Sequence, residues 1–207
     1  MGCHSAQYQR YNRLARDFGL TEEQVSENLI LNADTKVGDT MKIAMPKDQS
    51  KEWFGAAPPD LTLIARSKGV DYLYTYLRTF YLDDSRPLGV NNAVFPAVGM
   101  PHVLWQLQGW QEPVYGSAHG GDGHADAEGR ETGAEEEIIT GLKIVEPGTM
   151  TPPEFDAAMA DLVNFLAYIA EPVQLERKRL GWWVIGFLVL CLGVFYPLKK
   201  EYWKDVH

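Results

Sequence analysis

A chain of 207 residues with 19 Lys and Arg against 28 Asp and Glu carries a formal charge of −9, which excludes a nucleic-acid partner, whose phosphates need a basic surface. With 45 % hydrophobic and 12 % aromatic residues the chain is not globally disordered, and it is long enough for one cored domain plus an appendage. Its two cysteines, Cys3 and Cys191, stand near opposite ends, so no disulfide framework can be read and the redox compartment stays open.

The chain opens Met1-Gly2-Cys3-His4, the last four positions of C-x-x-C-H. In that pentapeptide two thioethers attach a haem covalently and the His binds its iron. The first Cys would fall just before residue 1, and no export signal precedes Cys3. The expectation is therefore a longer protein, truncated at its amino end. The plain alternative is a chance Cys-His pair at a disordered terminus.

Ser5–Asp17 lacks Pro and Gly and reads as a helix stopped by Gly19. Thr21-x-x-Gln24 is a capping box that opens a second helix, with Val25, Leu29 and Ile30 as its apolar stripe. A polar loop with Met41 and Met45 follows, then Trp53-Phe54-Gly55. Pro58-Pro59-Asp60 reads as the start of a short helix carrying Leu61, Ile64 and Ala65; Gly69 breaks it. Asp71–Phe80 resumes with Tyr72, Leu73, Tyr76, Leu77 and Phe80 at helical spacing.

Asp83–Pro101 has no periodicity and reads as a long ordered loop, because Val94, Phe95, Val98 and Met100 give it apolar residues to bury. Ser117–Glu137 is Gly-rich, without aromatics, and holds seven acidic residues against one Arg. It reads as a mobile, solvated insertion, with His119 and His124 facing solvent rather than binding a metal. Ile138–Val145 is the one good strand candidate, ending at the turn Glu146-Pro147-Gly148. Thr151-Pro152-Pro153-Glu154 caps a strongly amphipathic helix from Phe155 to Ile169 that ends before Pro172.

Gly181–Leu198 carries no charge over about 18 residues, close to the length that spans a bilayer. Trp182, Trp183, Tyr196 and Trp203 mark its ends as interfacial aromatics, and Arg177-Lys178-Arg179 and Lys199-Lys200 flank it. Cys191 reads as a small apolar packing residue within the span. Because both flanks are basic, the charge rule leaves the orientation open.

A haem iron bound by His4 in an electron carrier calls for a second axial ligand, and a Met thioether suits it because soft sulfur favours ferrous iron. Met100, fixed between Gly99 and Pro101 in the ordered loop, is the leading candidate; Met41 and Met45 remain open. Met159 sits on an apolar helix face and reads as core.

Five ordered blocks carry a family resemblance. Gly2–Leu14 resembles the haem-attachment segment of bacterial cytochrome c1, the haem subunit of quinol–cytochrome c reductase. Ala57–Arg66, followed by Asp71-Tyr72, is similar to that family's A-P-P-D-L-S-x-I-x-R…D-Y segment. Asn91–Pro101 resembles its axial-methionine loop. Met150-Thr151-Pro152, then Ala170-Glu171-Pro172 with Arg177–Gly181, resemble the segments around its closing helix and anchor.

The resemblance implies a mainly α protein: a class I cytochrome c-like haem domain over residues 1–172, interrupted by the acidic insertion at 117–137. A linker at 173–180, a transmembrane anchor at 181–198 and a tail at 199–207 follow. It assigns one haem c per chain, with His4 and Met100 as axial iron ligands and Cys3 as a thioether. Haem contacts fall on Pro59, Arg66 and Tyr72, with Arg66 or its neighbours near a propionate. Lys68 stands where many members carry another Arg and offers a point charge instead of a planar fork.

Phe95, Leu104, Trp105 and Trp110 are candidate apolar lining. The implied function is electron transfer from a Rieske iron–sulfur protein to a soluble cytochrome c beside cytochrome b, with no bond chemistry in this chain. The implied place is the bacterial inner membrane, with the haem domain periplasmic and the tail cytoplasmic. The acidic surface suits a basic cytochrome c as well as it suits simple solubility. The rival readings are a haem-free, tail-anchored interaction protein and a membrane-anchored cytochrome of another respiratory complex.

Overall fold

Residues 2–117 and 137–205 are described by a computed structural model of the chain. The first element is a strand, β1 (Ala6–Arg10), and only then does helix α1 (Tyr11–Phe18) begin. The single helix expected over Ser5–Asp17 is thus corrected. Ala6 and Gln9 turn inward, and β1 pairs antiparallel with β2 (Thr40–Met41). Long-range pairing overrides a local sequence that merely lacked a helix breaker. Gly19 ends α1 in the left-handed conformation that its missing Cβ permits.

Helix α2 (Glu22–Leu29) starts on its capping box as expected: Thr21 Oγ1 accepts from Gln24 N at 3.1 Å, and the Gln24 side chain accepts from Thr21 N at 2.9 Å. Within the expected polar loop lies a further helix, α3 (Lys47–Phe54), preceded by Pro46 and closed by left-handed Gly55. The short helix expected from Pro58 begins later, as α4 (Ile64–Lys68). Asp60 spends its carboxylate on a turn, accepting from Thr62 N, and so delays the helix. Helix α5 (Val70–Arg78) ends before Phe80, which instead opens β3 (Phe80–Leu82) against β4 (Val90–Asn92).

After the short helix α6 (Trp105–Gln108), β5 (Gly109–Ser117) pairs antiparallel with β6 (Glu137–Pro147). The strand read at 138–145 therefore exists, but it is not alone. Gly109 sits tightly against this ribbon, since a Cβ there would lie 2.1 Å from the Glu146 carbonyl oxygen. The acidic segment, with His119 and His124, lies outside the described residues except for Ser117 and Glu137, which face each other across the ribbon.

Helix α7 (Pro152–Ala170) closes the head. Glu154 accepts from both the amide and the hydroxyl of Thr151, at 2.8 and 2.7 Å. Its buried stripe of Phe155, Met159, Val163, Leu166 and Ile169 packs on Leu14, Val25, Met41, Ala65, Leu73 and Leu77. Met159 is core, as expected, and Met41 joins it there. Helices dominate the described residues, as the sequence implied, and three two-stranded sheets accompany them there.

Helix α8 (Gln174–Tyr202) is one continuous element that takes in most of the expected linker and the whole uncharged span. It is long and apolar enough to cross a membrane, and none of its residues is buried against the rest of the protein.

Candidate functional site

Two separate parts of the head each hold one of the two ligand candidates. At the first, His4 Nδ1 lies 2.8 Å from the carbonyl oxygen of Pro59. A carbonyl can only accept, so Nδ1 carries the proton and Nε2 of the neutral ring is left with its lone pair. That is the state in which an imidazole ligates a metal, with a second hydrogen bond fixing its tautomer and orientation. The neighbouring Cys3 thiol is half-buried and forms no disulfide.

The backbone behind His4 is fastened to the 59–62 turn. Leu61 N donates to Ser5 O at 2.8 Å, and Ile43 N donates to Ser5 Oγ at 3.1 Å. Asp60 Oδ2 accepts from Gln7 N at 2.8 Å, and Oδ1 accepts from Thr62 N at 3.0 Å. Burial works against the Asp60 charge, but the amide of Gln7, the hydroxyl and amide of Thr62 and the charge of Lys47 together outweigh it and hold the carboxyl below its ordinary value. A carboxyl depressed in the folded state stabilises fully above its unfolded value, near ~3.9, and loses that contribution as pH falls through the lower folded value. Asp60→Ala is therefore expected to cost about 1–3 kcal/mol at neutral pH, with the gap from wild type closing in acid. Urea unfolding between about pH 7 and pH 2 reads this directly; a gap independent of pH would remove the charge from the account.

The second part is the loop that carries Met100. Asn92, 1 % exposed, organises it from the end of β4. Its Oδ1 accepts from Val94 N at 3.0 Å and Phe95 N at 3.1 Å, and its Nδ2 donates to Tyr76 O at 2.7 Å. Asn91 Oδ1 accepts from Ala97 N at 2.9 Å, and Asn91 Nδ2 donates to Asp83 Oδ2 at 2.9 Å. Ala97 is the one non-glycine residue at positive φ (61°) among those described, a conformation an alanine adopts at a cost. Gly99 lies close under α3, where a Cβ would meet Phe54 O at 3.3 Å.

This scaffold presents Met100 Sδ to the hydroxyl of Tyr76, which donates to it at 3.4 Å. Burial, and then the neighbouring Tyr72, push the Tyr76 phenol up to about 12, so it remains a neutral donor. Tyr76 stacks on Tyr72 at 6.1 Å and meets Phe80 edge-on at 5.2 Å. His102, buried beyond the loop, lies flat on Phe80 at 5.1 Å, with its Nε2 3.3 Å from Gly109 O. Burial lowers its pKa more than the Gly109 carbonyl raises it.

The other expected site residues divide. Pro59 holds His4 through its carbonyl, and Tyr72 stacks beside the donor to Met100. Lys68 Nζ sits 5.7 Å above the Tyr72 ring, a cation–π contact. Arg66 is exposed, and its charge acts on Glu171, whose carboxyl is held below its ordinary value first by Arg177 and further by Arg66. Of the expected apolar lining, Leu104 packs against the core, Trp105 stacks on Trp110 at 5.4 Å, and Phe95 is exposed. Met45 is half-buried in the segment before α3.

Sequence reasoning missed Asp60, Tyr76 and Asn92 as supporting groups. Their signals were slight: an Asx residue two before Thr62, a Tyr in an apolar stripe, and the pair Asn91-Asn92 at the loop's entry. The donor set itself fits a haem iron. It offers an oriented imidazole with a free Nε2 and a thioether held in a rigid loop with a lone pair to spare.

Comparison with known proteins agrees. A family model described as the Cytochrome C1 family matches residues 137–206, a stretch that begins in β6 and runs through α7 and α8. The chain is 50 % identical over 206 residues to cytochrome c1 of Allochromatium vinosum, covering 100 % of this chain and 79 % of that protein. It is 44 % identical over 207 residues to the ammonia monooxygenase gamma subunit of Nitrosomonas europaea, covering 99 % of this chain and 77 % of that protein. Cytochrome c1 of Blastochloris viridis is 30 % identical over 158 residues, covering 73 % of this chain and 50 % of that protein.

Proposed function

The chain belongs to the cytochrome c1 family, and on that premise we propose that it takes electrons from a Rieske iron–sulfur protein and passes them to a soluble cytochrome c. Members of the family carry a covalently bound c-type haem and serve as membrane-anchored electron-transfer subunits of a bc1 complex. When bound, the haem supplies one-electron ferric–ferrous chemistry. The chain's own residues bind and orient it. His4 and Met100 would hold its iron, and Cys3 would be a covalent attachment point. Pro59 and Tyr72 support the two ligands, and Arg66, exposed, is the candidate partner for a propionate.

The observation that carries the reading is the hydrogen bond from His4 Nδ1 to Pro59 O. That contact, to a residue 55 positions away, gives the ring the tautomer and orientation that a metal-ligating His needs. We place the haem head on the periplasmic side of a bacterial inner membrane, beside cytochrome b. The head ends near residue 172, the anchor occupies 181–198, and the tail is cytoplasmic.

The test is a pyridine haemochrome spectrum of the purified protein, followed by stopped-flow reduction by a Rieske protein and oxidation by cytochrome c. No haem would return the chain to the haem-free reading. The Nitrosomonas relative, an ammonia monooxygenase gamma subunit, keeps a second assignment in view, a cytochrome of another complex. Co-purification with cytochrome b separates the two. Deleting the chain from Leu180 is expected to release a soluble head that keeps its haem spectrum, because α8 buries nothing against the head. Loss of the spectrum would make the anchor part of the haem domain.

A further inference from the structure

We propose that Tyr76 sets the reduction potential of the centre by donating its hydroxyl hydrogen bond to the Met100 sulfur. The inference rests on Met100 being the sixth ligand, as proposed above. A thioether sulfur has two lone pairs. At 3.4 Å the Tyr76 O–H occupies one, which leaves the other for iron. A donor on the sulfur withdraws electron density and weakens its donation, and ferric iron feels that loss more than ferrous iron does. The reduced state is favoured, and the potential rises.

The contact is built rather than incidental. Tyr76 stands on α5, whose Leu73 and Leu77 are anchored in the core. Its ring is fixed from two sides, stacked on Tyr72 and edge-on to Phe80. Its carbonyl accepts from Asn92 Nδ2 at 2.7 Å. The same residue thus grips the methionine loop at its entry through the backbone and at its ligand through the side chain. A rotation of α5 would disturb both grips together, so the sulfur and the loop that carries it are positioned as one unit.

The experiment is a double-mutant cycle on the haem-loaded membrane protein, with Tyr76→Phe, Met100→Leu and both together, read by redox titration. Phenylalanine keeps the ring and its two aromatic contacts and removes only the donor. Tyr76→Phe is expected to shift the redox equilibrium about three- to tenfold toward the ferric state. At 59 mV per tenfold for one electron, that is a potential lower by roughly 30–60 mV. In the Met100→Leu background the Tyr76→Phe shift should vanish, since no sulfur remains to receive the hydrogen bond.

An unchanged potential in Tyr76→Phe overturns the inference while leaving the ligand assignment intact. An equal shift in both backgrounds also overturns it, since the hydroxyl would then act through general polarity. If Met100→Leu by itself leaves the potential unmoved, the ligand assignment fails first and takes the inference with it.

Discussion

Met100→Leu is expected to leave the haem attached while lowering its reduction potential on the order of 0.1 V or more, a fraction of the ~0.8 V range that axial ligands command. On the reading proposed above, attachment falls to Cys3 in the amino-terminal segment, which the substitution does not touch. Leucine matches methionine closely in volume, so the loop keeps Val98 buried and Gly99 close against α3. What it loses is the soft sulfur that favours ferrous iron. The vacated coordination position should also admit carbon monoxide. Redox titration and a carbon monoxide difference spectrum report the two effects independently. An unchanged potential would take Met100 out of the iron's coordination sphere and promote Met45, the other methionine outside the core that the sequence left open.

Asn92→Ala is expected to have the largest effect on stability of any single change in the site. It strands the amides of Val94 and Phe95 and leaves the carbonyl of Tyr76 with Thr79 N alone, at 3.4 Å. Phe95 is exposed and Val94 half-buried, so water recovers part of the loss. The net cost should be about 2–4 kcal/mol, equivalent to roughly 5–15 °C in melting temperature for a protein of this size. Because the same bonds shape the loop ahead of Met100, the variant should bind carbon monoxide where wild type does not. Calorimetry together with the difference spectrum checks both. Lower stability with no gain in carbon monoxide binding would show that Asn91 and the contact of Gly99 with α3 hold the loop unaided.

What could be read from the sequence was what is encoded locally. Both capping boxes, the closing helix with its buried stripe, and the uncharged span stand where the residues indicated. Each is specified within a few turns of chain. The misses share one cause. β1 exists because Met41 and Thr40 pair with it, and β3 because β4 returns to it. β5 contains Pro113 and Gly116 and is sustained by its ribbon partner β6. None of these partners is visible in a window of ten residues. Helix α3 is the exception, since Pro46 before it and Gly55 after it were legible punctuation.

The site divides in the same way. His4 and Met100 could be nominated from ligand chemistry and family likeness. The residues that aim them act across the fold: Pro59 from 55 positions away and Tyr76 from 24. Their roles arise only once α5, the 59–62 turn and the loop after β4 are packed together.

The unbroken course of α8 fixes how the head is carried. At about 1.5 Å per residue its 29 residues run about 44 Å, against a hydrocarbon core of about 30 Å. With Gly181–Leu198 inside the bilayer, the turns from Gln174 to Leu180 stand outside it as a stiff pillar about 10 Å tall. α7 has ended only three residues earlier. Gln174 N donates to Glu171 O at 3.1 Å, and Arg177 Nη2 donates to Glu171 Oε2 at 3.1 Å, bracing the joint. A head mounted this way keeps its height and its compass bearing over the membrane. Bearing also becomes a matter of helical phase. One residue added to the pillar lifts the head by only about 1.5 Å but turns it through about 100° about the pillar axis.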